Sequence, residues 1–298
     1  MSFVKLDDGH EPGSAEVFLD TSIHCCFHKG ETLRPRLNWL LGLFSWKGTS
    51  TYSKMEYGNV ILATAQYYLR MLRELKSVAS LLEHVAHVLP PQHRERRTWA
   101  FSLVKTLGRS EEERTRRAEA SLRRLLKLGT TAIDAHCDLP LADGTRCHWG
   151  ATGLHRGRDG RYTWKTPNCK SCNKACDVDG FFMKHRETFE LIKREIDNLK
   201  ADMLTDELRQ FSRVIGEAIN TPSILLDYHH GCKLLADVLI AVDSKSYSNL
   251  ATQNYKESQV LTRILGQRCY YLPNNPKHGI QILDHNTATT EEGRESVS

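Results

Sequence analysis

Val17-Phe18-Leu19-Asp20-Thr21-Ser22 near one end, and Asp237-Val238-Leu239-Ile240-Ala241-Val242-Asp243 followed by Asn249-Leu250-Ala251-Thr252-Gln253-Asn254 near the other, decide the fold. Each phrase joins an apolar run to acidic or amide side chains. The run Val17–Leu19 is short enough to read as a buried strand. Carboxylates delivered at the end of such a run suit Mg²⁺ or Mn²⁺, hard cations that take oxygen ligands. Metal-dependent hydrolysis is therefore the leading expectation.

Outward from these phrases, the last third of the chain alternates. Ser223–Tyr228 reads as a strand, Cys232–Tyr247 is apolar at helical spacing, and Asn249–Thr252 reads as a strand. Tyr255–Leu265 reads as a helix ending at Gly266, and Cys269–Leu272 as a strand stopped by Pro273. Strands alternating with helices over short links predict an α/β fold with a parallel sheet. The polar tail from Asp284 predicts disorder.

The middle differs. Leu37–Gly42 reads as helical, and Gly48–Ser53 as a loop of helix N-cap residues. Glu56 stands three residues after Ser53, which is capping-box spacing, so a helix-start role competes with any chemical one. Leu75, Val78, Leu82, Val85 and Leu89 form a heptad seam that Pro90-Pro91 ends. Residues 93–107 and 111–128 read as further helices, with Gly129 as a stop. Phe189, Ile192, Ile196, Leu199 and Met203 repeat the seam, and the pattern continues through Leu208, Phe211 and Ile215. Matching periods predict that the two seams pair as an antiparallel helical hairpin, with the intervening block beyond it.

The chain has 298 residues, 40% hydrophobic and 26% charged, enough for a packed core. Its formal charge is +5, but residues 91–128 alone carry 11 Lys or Arg against 5 Glu. That concentration suits a polyanion, or is a solvated helical face with ion pairs. No apolar run reaches the ~18 residues of a membrane span. Met1–Ser14 is polar and lacks the features of a secretory signal, so the expectation is a cytoplasmic chain with no membrane partner. Nine cysteines in that setting read as thiols and metal ligands rather than disulfides. The vicinal Cys25 and Cys26 read as buried and inert ahead of metal-binding.

The order of these phrases resembles the PIN-domain nuclease superfamily. A strand ends in Asp-Thr-Ser, and an acid follows 36 residues on in a helix. Asp-Val-Leu-Ile-Ala then opens a second helix, and Leu-Ala-Thr-Gln-Asn closes a strand. The resemblance covers roughly residues 15–60 and 220–275. It implies a Rossmann-like sheet and a Mg²⁺- or Mn²⁺-dependent nuclease, with RNA ahead of DNA as substrate. Position by position it places the family acids on Asp20, Glu56 and Asp237, and the fourth on Asn254, where many relatives carry Asp. That departure removes one negative charge and weakens the case for a second tightly held ion. Asp243 lies six residues after Asp237, off the i+3, i+4, i+7 face, and is a secondary candidate. Thr21, Ser22 and Thr252 are candidate substrate contacts, with helix capping as their bland reading. The 180 residues between Glu56 and Asp237 read as an inserted module.

Within it, Cys137 and Cys147 stand about twenty residues before the C-x₂-C pair Cys169 and Cys172. Two thiolate pairs at that separation match a structural Zn²⁺ of ribbon type, with His148 and Cys176 as further candidates. Arg158, Lys170 and neighbouring Trp149, Tyr162 and Trp164 interleave cations with rings, as a nucleic-acid surface does. Arg116, Arg117, Arg123 and Arg124 extend that surface. The sequence thus divides into a PIN-like core at 1–60 and 221–283, inserted helices at 61–129, a zinc-ribbon-like module at 130–180, a return helix at 181–220 and a tail at 284–298. The inserted arm could equally dock a protein partner, and a homodimer is compatible. The competing reading is a catalytically weak scaffold binding nucleic acid or protein.

Overall fold

The computed structural model describes residues 4–5, 11, 14–28, 33–88, 110–140, 142, 144–147, 154–156, 162–164, 176–227, 230–275 and 278–283. Its centre is a six-stranded sheet. The strands, in chain order, are β1 (Val4–Lys5), β2 (Glu16–Leu19) and β3 (Trp46–Gly48), then β6 (Asn249–Thr252), β7 (Arg268–Tyr271) and β8 (Gln281–Leu283). A separate antiparallel hairpin joins β4 (Leu154–Arg156) to β5 (Tyr162–Trp164). The sheet order is β1-β8-β7-β6-β2-β3. Strands β3, β2, β6 and β7 run parallel, whereas β8 and β1 close the sheet antiparallel.

The apolar phrases become the central strands because both faces of the sheet are covered by helices. Val17 and Leu19 of β2 face one side, with Ala251 and Tyr270, against helices Thr21–Cys26 and Arg34–Gly42. Phe18 and Leu250 face the other, against Val238, Leu239 and Val260. Every residue of β6 is buried. Helix Tyr255–Leu265 ends where expected, with Gly266 at φ +69° supplying the left-handed cap that a Cβ disfavours.

Four expectations are corrected. The strand expected at Ser223–Tyr228 is replaced over its described residues by a 3₁₀ turn, Pro222–Leu226, in which Pro222 occupies the first turn, and Tyr228 itself lies outside the described residues. The strands β3 and β8, each three residues long, escaped the sequence reading, and β8 makes the sheet mixed. The helix around Glu56 starts at Thr51, not Ser53. Ser50 is its N-cap and its side chain accepts from the Ser53 N–H.

The fourth concerns the helical hairpin. Lys76 adopts a left-handed φ of 55° and separates helix Ala63–Leu75 from Val78–Val88, so no continuous heptad runs through Leu75. Val78, Leu81 and Val85 pack instead with Leu122, Leu125 and Leu126 of helix Glu111–Leu128. Phe189, Ile192, Ile196 and Phe211 join the cluster of the sheet. The second seam itself is two helices, Arg186–Asp197 and Asp206–Asn220, whose buried faces meet. Where the expected zinc module leaves the helices, only part of the block is described, and residues 148–153, 157–161 and 165–175 lie outside the described residues. Its described start follows the edge strand: Asp138 pairs with Lys47, and Ala142 exchanges backbone hydrogen bonds with Thr49 and Thr51. Residues 93–107, and the tail from Asp284, lie outside the described residues. No helix among the described residues is long and apolar enough to cross a membrane.

Candidate active site

In parallel α/β sheets the loops at the carboxyl ends of the strands form the natural crevice. Here β2 ends at Leu19, and Asp20 follows as N-cap of the next helix. Strand β6 ends at Thr252, and Gln253 and Asn254 follow before helix Tyr255–Leu265. Helix Thr51–Tyr57 brings Glu56, and helix Ala236–Asp243 brings Asp237 in its first turn. Together they line a cavity of about 330 Å³ formed by Asp20, Thr21, Ser22, Cys25, Glu56, Val60, Asp237, Gln253 and Asn254.

Hydroxyls and amides hold each carboxylate. Asp20, 6% exposed, accepts at Oδ2 from Ser22 Oγ at 2.6 Å and Thr252 Oγ1 at 2.7 Å. Glu56 accepts at Oε2 from Thr21 Oγ1 at 2.8 Å. Asp237 accepts at Oδ2 from Asn254 Nδ2 at 3.0 Å. Second contacts fix the hydroxyls in turn: Gln253 N–H donates to Ser22 Oγ and Asn254 N–H to Thr252 Oγ1. Thr21, Ser22 and Thr252, the candidate substrate contacts, thus donate to the acids and set where the carboxylates point.

Concentrated negative charge in a buried place is costly, and the acids respond as that cost requires. Burial pushes the Glu56 carboxyl up to about 8, helped by the charges of Asp237 and Asp20. Burial, with Asp20 and Glu257 beside it, pushes Asp237 up to about 7. Asp20 is also raised by burial, against the hydrogen bonds from Ser22 and Thr252 that pull it down. The donor set is thus all-oxygen and short of positive charge, which fits Mg²⁺ or Mn²⁺. Among the described residues no group of three His, Cys, Asp or Glu is arranged as a ready metal site.

Asp243 is not brought to this cavity. Helix Ala236–Asp243 continues to its last residue, and Asp243 lies at the opposite end from Asp237, beside Gly144. Asn254 does line the cavity, as a donor to Asp237 rather than an acid. Four neighbours were missed. Gln253 is adjacent in sequence to named residues. Cys25 and Val60 carry no polar signature. Glu257 sits at the N3 spacing from Asn254 that a helix start explains equally well. Val60 reaches the cavity because residues Gly58–Leu62 form a π-helical turn, which shifts the helical face after Glu56.

Elsewhere, helix Glu111–Leu128 buries Ala118, Leu122, Leu125 and Leu126 and exposes Arg116, Arg117, Arg123 and Arg124. Arg117 pairs with Glu113, and Arg123 with Glu119 at 2.6 Å. Cys137 packs against the helical cluster and Cys147 against that of the sheet. Burial pushes the Cys137 thiol up to about 12. Cys169, Cys172, His148, Arg158 and Lys170 lie outside the described residues. Comparison with protein-family models, with curated proteins and with solved structures returns no match.

Proposed function

We propose that this chain is a metal-dependent nuclease of PIN-like kind, hydrolysing phosphodiester bonds in RNA ahead of DNA. The observation that carries the reading is the meeting of Asp20, Glu56 and Asp237, from three separate elements, at one cavity on the carboxyl edge of the parallel strands. These three would hold Mg²⁺ or Mn²⁺, which when bound polarises a phosphoryl oxygen and acidifies water.

The chain's own groups prepare the site. Ser22 and Thr252 share Oδ2 of Asp20, which directs the rest of that carboxylate to the cavity. Thr21 and Asn254 do the same for Glu56 and Asp237. Near neutral pH Glu56, pushed up to about 8, retains its proton, and a bound cation would drive it off. The exposed arginines of helix Glu111–Leu128 support a polyanionic substrate. A structural Zn²⁺ on Cys137, Cys147, Cys169 and Cys172 belongs to the same proposal, and a bound ion would supply the deprotonation that the buried Cys137 thiol resists.

A catalytically weak nucleic-acid- or protein-binding scaffold is the second reading, favoured by the Asn254 amide that takes up one oxygen of Asp237. Incubation of the purified chain with single-stranded RNA and DNA, in Mn²⁺ or EDTA, separates the two. The nuclease reading expects Mn²⁺-dependent RNA cleavage that Asp20→Asn abolishes. Intact strands in Mn²⁺, with binding retained, would favour the scaffold.

A further inference from the structure

The carboxyl edge of the sheet continues past the acidic cavity. Tyr271, the last residue of β7, is in register with Thr252, the last of β6. Register partners in a parallel pair share a face, so Tyr271 projects on the side where Thr252 meets Asp20. Tyr255 opens the helix that covers this face, and its ring lies 5.3 Å from that of Tyr271 at 44°. Both side chains are half-buried, unlike Tyr52, Tyr57, Tyr68 and Tyr270, which are closed within the core. Gln253 connects the two places. It lines the acidic cavity, and its Nε2 donates to Leu272 O at 3.2 Å. Arg36 holds the following segment by donating to Pro273 O at 3.0 Å and to the carbonyls of Asn275 and His278.

We infer that Tyr255 and Tyr271 form a stacking platform for an unpaired nucleotide base, one flank of a single strand whose phosphate lies at the acidic cavity. Two strand spacings separate β7 from β2, so the end of β7, which carries Tyr271, stands ~10 Å along the edge from the end of β2, where Asp20 follows. That is the reach of a few nucleotides, whose charges lie ~3.4 Å apart when stacked and farther apart when extended. Every base offers a π-face to a ring, so such a platform selects unpaired over paired strands and tolerates sequence. Base pairing hides the faces that the rings need. The inference names the substrate class of the site proposed above and rests on that reading for the phosphate, but not for the base.

The test is binding in EDTA, where no cleavage intervenes. A short single-stranded RNA is compared with the same strand made abasic at successive positions, by fluorescence anisotropy. The wild-type chain is expected to lose about tenfold in affinity when one particular base is removed. Tyr255→Leu and Tyr271→Leu should each lose that discrimination, and Tyr255→Phe and Tyr271→Phe should keep it. A tyrosine pair that only packs the fold cannot produce a base-dependent ratio. Equal wild-type affinity for intact and abasic strands overturns the platform, without any variant that has to fold. Discrimination that survives in the folded Leu variants overturns it as well. If instead the discrimination depends on the tyrosines while Mn²⁺ elicits no cleavage, the platform stands and the nuclease reading falls.

Discussion

Glu56→Gln should stabilise the metal-free protein, increasingly as pH rises from 4.5 to 8. Glutamine keeps the shape of the side chain and an oxygen for Thr21 Oγ1, which now lies 2.8 Å from Glu56 Oε2. What it removes is the charge. Glu56 titrates at about 8 in the fold against an ordinary 4.5. A carboxyl whose folded pKa is raised binds its proton more tightly folded than unfolded. Its stabilising proton is fully in place below pH 4.5 and is lost as pH climbs through 8, so wild-type stability falls across that window. At 1.36 kcal/mol per tenfold, the full separation is worth ~5 kcal/mol. Glu56 is half-buried on an open cavity and water screens it, so about 2 kcal/mol should be expressed. Urea unfolding in EDTA should therefore show the variant about 2 kcal/mol more stable than wild type at pH 8, and equal to it at pH 4.5. In melting temperature the gain at pH 8 is about 4 °C. A variant less stable at both pH values, or a gain independent of pH, would refute the charge-crowding argument.

Asp20→Asn and Asp237→Asn should each lower Mn²⁺-dependent cleavage on the order of 10²-fold or more with folding intact, as read by single-turnover kinetics and circular dichroism. Asn254→Asp replaces the donor to Asp237 with a further carboxylate, so calorimetry should show Mn²⁺ bound more tightly and chemical unfolding at pH 8 a weaker metal-free fold. Arg116→Glu with Arg124→Glu should weaken RNA binding about tenfold and flatten the log-log salt slope by about 2, because these arginines are exposed and take no part in the ion pairs of Arg117 with Glu113 and Arg123 with Glu119. An unchanged isotherm would assign that face to solvent or a protein. Gly231→Ala sets a Cβ 2.2 Å from the carbonyl oxygen of Ile224 and 2.9 Å from Leu225 Cα, so it should cost about 3 kcal/mol in thermal unfolding and displace the turn leading to Asp237.

The parts of the site written in local residue order were legible. The apolar run before Asp20, the buried β6 before Asn254 and the Gly266 stop each carry a short-range physical signal, and each takes the expected form. Glu56 was legible only as ambiguous, since capping-box spacing fits it. The fold removes that alternative by starting the helix at Thr51, with Ser50 as its N-cap. The tertiary partners were not legible. Leu75–Leu89 and Phe189–Met203 share a period, but a period states which face is apolar and not what covers it. The first pattern breaks at Lys76 and packs on Leu122 and Leu125, and the second packs toward the sheet. Short elements such as β3 and β8 carry too few residues to show alternation. Val60 and the tyrosine pair Tyr255 and Tyr271 reach the strand-end edge only through a π-turn and strand register, which leave no mark in sequence.

The central claim is that Asp20, Glu56 and Asp237 together make one divalent-cation site. Titration of the purified chain with Mn²⁺ at pH 8, followed by electron paramagnetic resonance of the free ion, tests it most directly. The account predicts one ion removed from solution per chain, displaced by Mg²⁺, with binding lost in Asp20→Asn and weakened as pH falls through 7, where Asp237 takes up its proton. Mn²⁺ left free at millimolar concentration, or bound as tightly by Asp20→Asn as by wild type, would contradict it.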